Sequence, residues 1–281
     1  MSKAWRQRIH VLTSVFLVLL IGVFTMTPLY WIVNTSLKEP GTEFRIPLEY
    51  WPAKVSLQAY RDVLGPNFRI QDAIRNSVIV SSSVTVAALF FGSLAAYTIA
   101  RLRFKYKIQS LMFMQVAGMM PAIITIAPTF VLIRSLGLLG KLPGLILPNI
   151  AYCIPVVSWL MAAYFAALPF ELEDAGKMDG YTPFGVFWRV IMPLATPGLF
   201  SAGVIAFLGS WGEFMLALTI GMGVRTMQTV PVAILGFSRN FDLQWAWVSA
   251  GVVMSLAPII LLVVVFQRWV IRGLTAGAIK Y

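Results

Sequence analysis

The chain has 281 residues, of which 59% are apolar and only 12% charged, with a formal net charge of +11. That leaves too little polar surface for a soluble domain of this size, and the apolar residues stand in long blocks, so an all-α polytopic membrane protein is expected, with no room for a soluble catalytic domain. Its basic excess, which in a soluble protein would point to nucleic acid, is accounted for by positive charge on inner loops; with one cysteine (Cys153) and one histidine (His10), no internal disulfide or Cys/His metal cluster is expected. The predicted elements begin with an apolar run over 9–33 behind Lys3, Arg6 and Arg8. It is too long for a signal-peptide core and lacks a small-residue cleavage pattern, so it reads as a retained first span with a cytoplasmic amino terminus. Residues 34–75 form the longest polar stretch, mixed in sign and broken by Pro40, Gly41, Pro47, Pro52, Gly65 and Pro66. They are expected outside as a folded lip, serving either as a contact for a solute receptor or as a plain connection.

A second span is expected over 77–100. Its first half is rich in Ser, Thr and Ala, and Gly92 with Ala96 makes a small-xxx-small pair suited to close helix approach and cross-helix hydrogen bonds. Arg101, Arg103, Lys105 and Lys107 follow and place that loop inside. A third span is expected over 108–133, kinked at Pro121 or Pro128. Gly140-Lys141 lacks the earlier glycine and the following Ser/Thr of a phosphate loop, and that reading is rejected. A fourth span is expected over 145–168.

Charge then returns. Residues 168–197 read LPFELEDAGKMDGYTPFGVFWRVIMPLATP. Two short helices fit this pattern. The first opens at Pro169, carries Glu171, Glu173 and Asp174 in its first turns where the helix dipole favours them, presents an apolar stripe of Leu172, Ala175 and Met178, and stops at Gly180. The second is capped by Thr182, begins at Pro183, and places Phe184, Phe187, Trp188 and Ile191 on one face. Too polar to span and too aromatic to float free, the pair is expected on the membrane surface or in a partner's groove.

The run Asp174-Ala175-Gly176, then Asp179-Gly180, then Val190-Ile191-Met192-Pro193 resembles the EAA loop of ABC importer permeases: Glu-Ala-Ala, three residues, Gly, nine residues, Ile-x-Leu-Pro. The spacing matches throughout, with Asp174 for Glu, Gly176 for the second Ala, Val190 for Ile and Met192 for Leu. The resemblance implies a six-span permease of the type I architecture whose coupling helix docks on a cytoplasmic ATPase, with Glu173, Asp174, Ala175, Gly176, Asp179, Gly180, Val190, Met192 and Pro193 as coupling residues. PLYWIVNTSLK at the end of the first span and AAYTIARLRF at the end of the second resemble the carbohydrate-uptake branch of that family.

A fifth span is expected over 198–220. It holds Glu213, the one acid deep in a predicted span, for which three roles stand open: bonding another helix, lining the solute path, or carrying a proton. GSWGEFMLALT resembles a Trp-Asn-Glu-Phe run of sugar permeases, with Gly212 in place of Asn. VPVAILGFSRNF, within 221–244, looks like an external helix or scoop. A sixth span over 248–270 leads to a cytoplasmic tail, 271–281. In that tail Gly273, Leu274, Thr275 and Gly277 resemble the maltose-type tail that reaches the ATPases; otherwise it is a disordered end.

One membrane domain is therefore expected over 1–281, in a bacterial inner cell membrane, multi-pass, with both termini cytoplasmic. The resemblance implies a non-catalytic transport subunit for a sugar, oligosaccharide or polyol. It would work beside a second permease, two ATPase subunits that hold ATP and Mg, and an extracytoplasmic solute-binding protein, with lipid around it and no nucleic acid. The chain itself is expected to bind no cofactor or metal. Stacking and hydrogen bonding to sugar make Tyr97, Asn149, Tyr152, Trp211 and Glu213 the candidate solute-path residues. Two other classes compete with this reading. An ion-coupled carrier would use Glu213, but no inverted repeat is visible. A membrane enzyme would need paired acids or a nucleophile–base pair within the spans.

Overall fold

The computed structural model describes residues 3–221, 223–239 and 242–276. The long elements are helices: α1 (Lys3–Ser36), α2 (Gln58–Leu64), α3 (Ile70–Arg101), α4 (Lys107–Gly118), α5 (Ala122–Ser135), α6 (Leu142–Ala167) and α7 (Glu171–Met178). There follow α8 (Pro183–Val186), a π turn (Phe187–Ile191), α9 (Met192–Leu194), α10 (Thr196–Trp211), α11 (Met215–Ile220), α12 (Val230–Leu235) and α13 (Trp245–Ala276). Strands β1 (Ser238–Arg239) and β2 (Asp242–Leu243) pair antiparallel in one two-residue ladder. Among the described residues, four helices are long and apolar enough to cross a membrane: Ile9–Ser36, Ile70–Arg101, Leu142–Ala167 and Trp245–Trp269. Two bent pairs pass the same test jointly, for up to six crossings.

The fold divides into two compact units. The first is drawn from the residues up to Ile70 together with Ile234–Leu256. Its centre is the polar end of α1, where Asn34, Thr35, Ser36 and Lys38 are all buried. Buried polar groups must find partners, and the stretch expected to form a lip supplies them. Asn34 Nδ2 donates to Tyr50 O at 3.0 Å, and the Tyr30 hydroxyl donates to the same carbonyl. Lys38 Nζ donates to Glu49 O at 3.0 Å and lies 5.5 Å from the Trp31 ring centroid. Further on, Trp247 Nε1 donates to Asp62 Oδ2 at 2.9 Å and Ala246 N to Glu43 Oε1 at 2.8 Å. Phe68 packs on Phe237 and Trp247, each 4.9 Å between centroids.

The second unit comprises Gln71–Ala233 and the residues from Ala257. Its hub is α6. In lipid, helices associate by close packing rather than by hiding from water, so small residues set the contacts. A Cβ on Gly92 of α3 would sit 2.7 Å from Val157, and one on Gly198 of α10 would sit 2.6 Å from the Tyr164 ring. Ala96 is fully buried nearby. The cross-helix hydrogen bonds expected of the second span are made at its start. There Asn76 Nδ2 donates to Thr226 O (2.9 Å) and Gln228 O (3.0 Å), and Ser77 Oγ accepts from Val230 N (2.9 Å). Deeper in, Thr85 turns back to Ser81 O, and the hydroxyls of Ser81 and Ser93 are buried without a hydrogen-bond partner. Those residues serve α3 by being small.

The expected third span is not one kinked helix. α4 and α5 meet at 89° across Met119–Pro121. Pro121 begins the new helix with an extended ψ of 129°, so the ladder stops there rather than bending. The fifth span likewise breaks between α10 and α11, at Gly212–Phe214.

Candidate functional site

α6 ends at Ala167 because Leu168 precedes a proline and is forced extended (φ −75°, ψ 143°). Pro169 stays in the linker, so α7 begins at Glu171, two residues later than the sequence pattern predicts; the Phe170 carbonyl receives the first N–H groups, of Glu173 (3.0 Å) and Asp174 (3.3 Å). Gly180 closes α7 in the left-handed region (φ +84°), with Gly180 N donating to Lys177 O at 3.0 Å and Tyr181 N to Gly176 O at 3.1 Å. This paired C-cap is what a glycine at that position is for. Thr182 then caps α8 as expected, its Oγ1 accepting from Gly185 N at 3.2 Å.

The face of α7 that turns inward is not centred on its apolar stripe. Glu173 and Gly176 are buried and Leu172 half-buried, whereas Ala175 and Met178 face out. The helix is turned by about 100°, one residue of a 3.6-residue turn, from the purely apolar choice. The cause is Arg101, the last residue of α3. Its side chain has no exposed surface, and its Nε lies 3.2 Å from Glu173 Oε1, itself in a side chain only 10% exposed. Arg101 Nη2 also donates to Leu168 O at 2.7 Å, and the guanidinium stands 4.3 Å from the Phe170 ring centroid. The Arg101–Glu173 contact is an ion pair rather than an aligned hydrogen bond, so Arg101 Nε and Nη1 and Glu173 Oε1 have no hydrogen-bond partner in the protein. Arg101 was read from sequence as one of four charges flanking a span. Nothing in a linear pattern distinguishes a flanking arginine from one that folds back under the next loop.

Gly176 lets α7 approach the second helix: a Cβ there would lie 3.1 Å from Val186 and 3.3 Å from Val190. Val186, Phe187 and Ile191 are buried, while Phe184, expected on one face with Phe187 and Ile191, is 64% exposed. The turn Phe187–Ile191 is a π turn, which inserts an extra residue and shifts the register on which a 3.6-residue stripe depends. Tyr97 of α3 packs on Phe187 (4.9 Å) and Phe165 (5.9 Å), joining this base to α6.

On the outer face stand Phe170 (57% exposed), Met178 (87% exposed) and Phe184. Exposed Glu171, Asp174 and Asp179 stand among them, with Asp174 lightly paired to Lys177 at 3.1 Å. Val190 and Met192 are half-buried, and Pro193 is exposed. The coupling motif thus has two sides: a buried base gripped by α3 and α6, and an outward face mixing large apolar side chains with acids.

The five candidate solute-path residues meet different partners. Tyr97 lies in the base just described. Asn149 is buried and donates to Leu145 O of its own helix (3.1 Å), and Trp211 is buried and stacks on Phe207 (5.6 Å). Tyr152 lines a cavity of about 370 Å³ with Thr125, Thr129 and Pro148, its hydroxyl bonded to that of Thr125. Glu213 stands at the break between α10 and α11, where its carboxyl oxygens accept from Leu216 N (2.7 Å) and Ala217 N (3.0 Å) and so cap α11. Of the tail residues, Gly273, Leu274 and Thr275 continue α13, which runs to Ala276. One glycine costs a helix only about 1 kcal/mol, so the chain does not release where a flexible tail was expected. Gly277 lies outside the described residues.

A family model for the binding-protein-dependent transport system inner membrane component matches residues 88–276. The trehalose transport system permease protein SugB of Mycobacterium tuberculosis is 36% identical, over 92% of this chain and 93% of its own length. The trehalose/maltose transport system permease protein MalG of Thermococcus litoralis is 32% identical, over 98% of this chain and 99% of its own length. Among solved structures, a chain from a bacterial ABC transporter involved in the import of the acidic polysaccharide alginate matches with a TM-score of 0.75 at 21% identity, over 95% of this chain and 98% of that one. At that identity the likeness speaks for the fold. With the family model covering well over half of the residues, the chain belongs to the binding-protein-dependent transport system inner membrane components, the permease subunits of ABC importers.

Proposed function

We propose that this chain forms half of the pathway of an ATP-driven importer for a sugar, an oligosaccharide or a related polyol. A second permease completes the pathway, two cytoplasmic ATPases supply ATP and Mg chemistry, and an extracytoplasmic binding protein delivers solute. The solute class is supported by the names of the relatives, two of which are trehalose or trehalose/maltose permeases. The protein sits in the inner cell membrane with both termini cytoplasmic, in keeping with the basic run Arg101–Lys107. We take the fifth crossing as α10 with α11, and assign Pro183–Leu194 to the inner surface.

The observation that carries the coupling reading is the two-sided loop. Phe170, Met178, Phe184 and Asp174 stand exposed on an element whose base, through Glu173, Gly176, Phe187 and Ile191, is locked into the bundle. An interface wants apolar anchors with a polar rim, and a lever wants a rigid root. ATPase closure would push this face and swing the helices behind it. The tail after Gly273 would add a second contact. The ion-coupled reading loses ground because the Glu213 carboxyl is engaged by two backbone N–H groups. Tyr152 and Thr125, in their cavity, are the groups we assign to solute.

The test is ATP-driven uptake by the assembled complex in vesicles. Asp174→Lys inverts the charge on the outer face without touching the base. It is expected to abolish uptake while insertion of the permease is unchanged. Normal uptake by that variant would overturn the docking role, and uptake that stops when ion gradients are collapsed would overturn the ATP-driven reading.

A further inference from the structure

We infer that Arg101 is the positioning residue through which the coupling element and α3 move as one body. This inference rests on the coupling reading above and deepens it: it names the joint that carries motion from that element into the second span.

Two attachments hold α7, and they lead to different places. The first is apolar. Gly176 lies against Val186 and Val190, and Leu172 is half-buried in the same cluster, so this contact ties α7 to the second helix of its own loop. The second is polar and centres on Arg101, with the Tyr97 hydroxyl of the same α3 also set against the Glu173 carboxylate. One guanidinium, at the end of α3, meets the carboxylate of α7 (3.2 Å), the carbonyl that ends α6 (2.7 Å) and the ring of Phe170 (4.3 Å). The planar fork of arginine makes such contacts at once in fixed relative directions; the single ammonium of a lysine cannot. Phe170 is itself half in the open, so a load on the outer face bears directly on the guanidinium beneath it.

The chemistry of the joint argues for direction rather than adhesion. A buried ion pair is a poor way to gain stability, since apolar side chains of similar volume serve as well or better. Here the pair is also incompletely satisfied, with Arg101 Nε and Nη1 and Glu173 Oε1 lacking hydrogen-bond partners. What the ion pair supplies that apolar packing does not is a fixed bearing between α7 and α3. Lys107 Nζ, donating to Ala100 O at 3.1 Å, pins the same end of α3, so the helix end that receives the load is itself held.

Breaking the polar attachment alone should leave the apolar one and the outer face in place. The ATPase should still dock and turn over, while α3, still touched by Phe187 through Tyr97, follows less closely. The test uses the complete importer in vesicles, with ATP hydrolysis and solute uptake read separately. Arg101→Met combined with Glu173→Leu replaces the ion pair by apolar volume, so that no lone charge is buried. It is expected to assemble and hydrolyse ATP, with uptake per ATP reduced roughly tenfold, the scale of an ordinary site-to-site coupling. Arg101→Lys keeps the buried charge but gives up the fork, and is expected to assemble and fall between. Uptake per ATP equal to wild type in either assembled variant overturns the inference. So does failure of the lysine variant to assemble, which would make Arg101 a folding residue only. Failure of the underlying reading looks different: wild-type uptake would itself proceed without ATP.

Discussion

Two polar interruptions of this apolar chain, the lip that follows α1 and the loop between α6 and α10, have similar compositions and opposite uses. In the lip, three of the charges are spent inward. Lys38 meets Glu49 O and Trp31, Glu43 meets Ala246 N, and Asp62 meets Trp247. In the loop only one acid of the cluster is spent that way. Glu173 goes in to Arg101, while its neighbour Asp174 stays out beside Met178 and Phe184. The difference teaches that a count of polar residues does not tell a scaffold from a docking face. Which of them find partners inside the fold does.

The largest expected effect is at the root of the loop. Arg101→Gln leaves the Glu173 carboxylate buried without a counter-charge, a loss of about 3–5 kcal/mol, to be read as earlier denaturation of the purified permease in detergent. Next is the lip. Lys38→Met removes a charged hydrogen bond and a ring contact and should cost about 1–3 kcal/mol locally. Because those charges serve the scaffold, uptake per ATP should not change in that variant; a change there would blur the distinction between the two regions. The smallest effect is at Gly176. Alanine gains up to about 1 kcal/mol of helix propensity but meets Val186 at 3.1 Å, and overpacking costs about 1–3 kcal/mol. We expect a slight net loss of stability in Gly176→Ala, and in the double variant with Val186→Ala a loss smaller than the sum of the two single losses. A clear gain in the single variant would mean that the two helices are not held against each other.

Much of this was legible in the linear chain. Hydropathy marks the long helices because twenty or so apolar residues have few other uses, and Gly180 and Thr182 were readable as stop and start because their backbone chemistry is local. What was not legible depends on partners distant in sequence or on a changed period. Leu172, Ala175 and Met178 read as one apolar stripe; Arg101 divides it by giving Glu173 a reason to face in, which leaves Met178 outside. Phe184 does not share the face of Phe187 and Ile191 because the π turn after it breaks the 3.6 repeat. Glu213 was seen as the odd acid of its span, but its use as a cap on α11 requires the break at Gly212–Phe214, which no periodicity announces.

The central claim is that the outer face of the loop is covered by a partner when the importer is assembled. Met178 is its most exposed member, and Cys153 is the chain's one cysteine. In a Cys153→Ala background, Met178→Cys therefore carries a single thiol, whose labelling by a hydrophilic maleimide can be timed in the permease alone and in the complex with its ATPases. Labelling of the permease alone should be rapid, with strong protection in the complex. Equal labelling rates in both would contradict it.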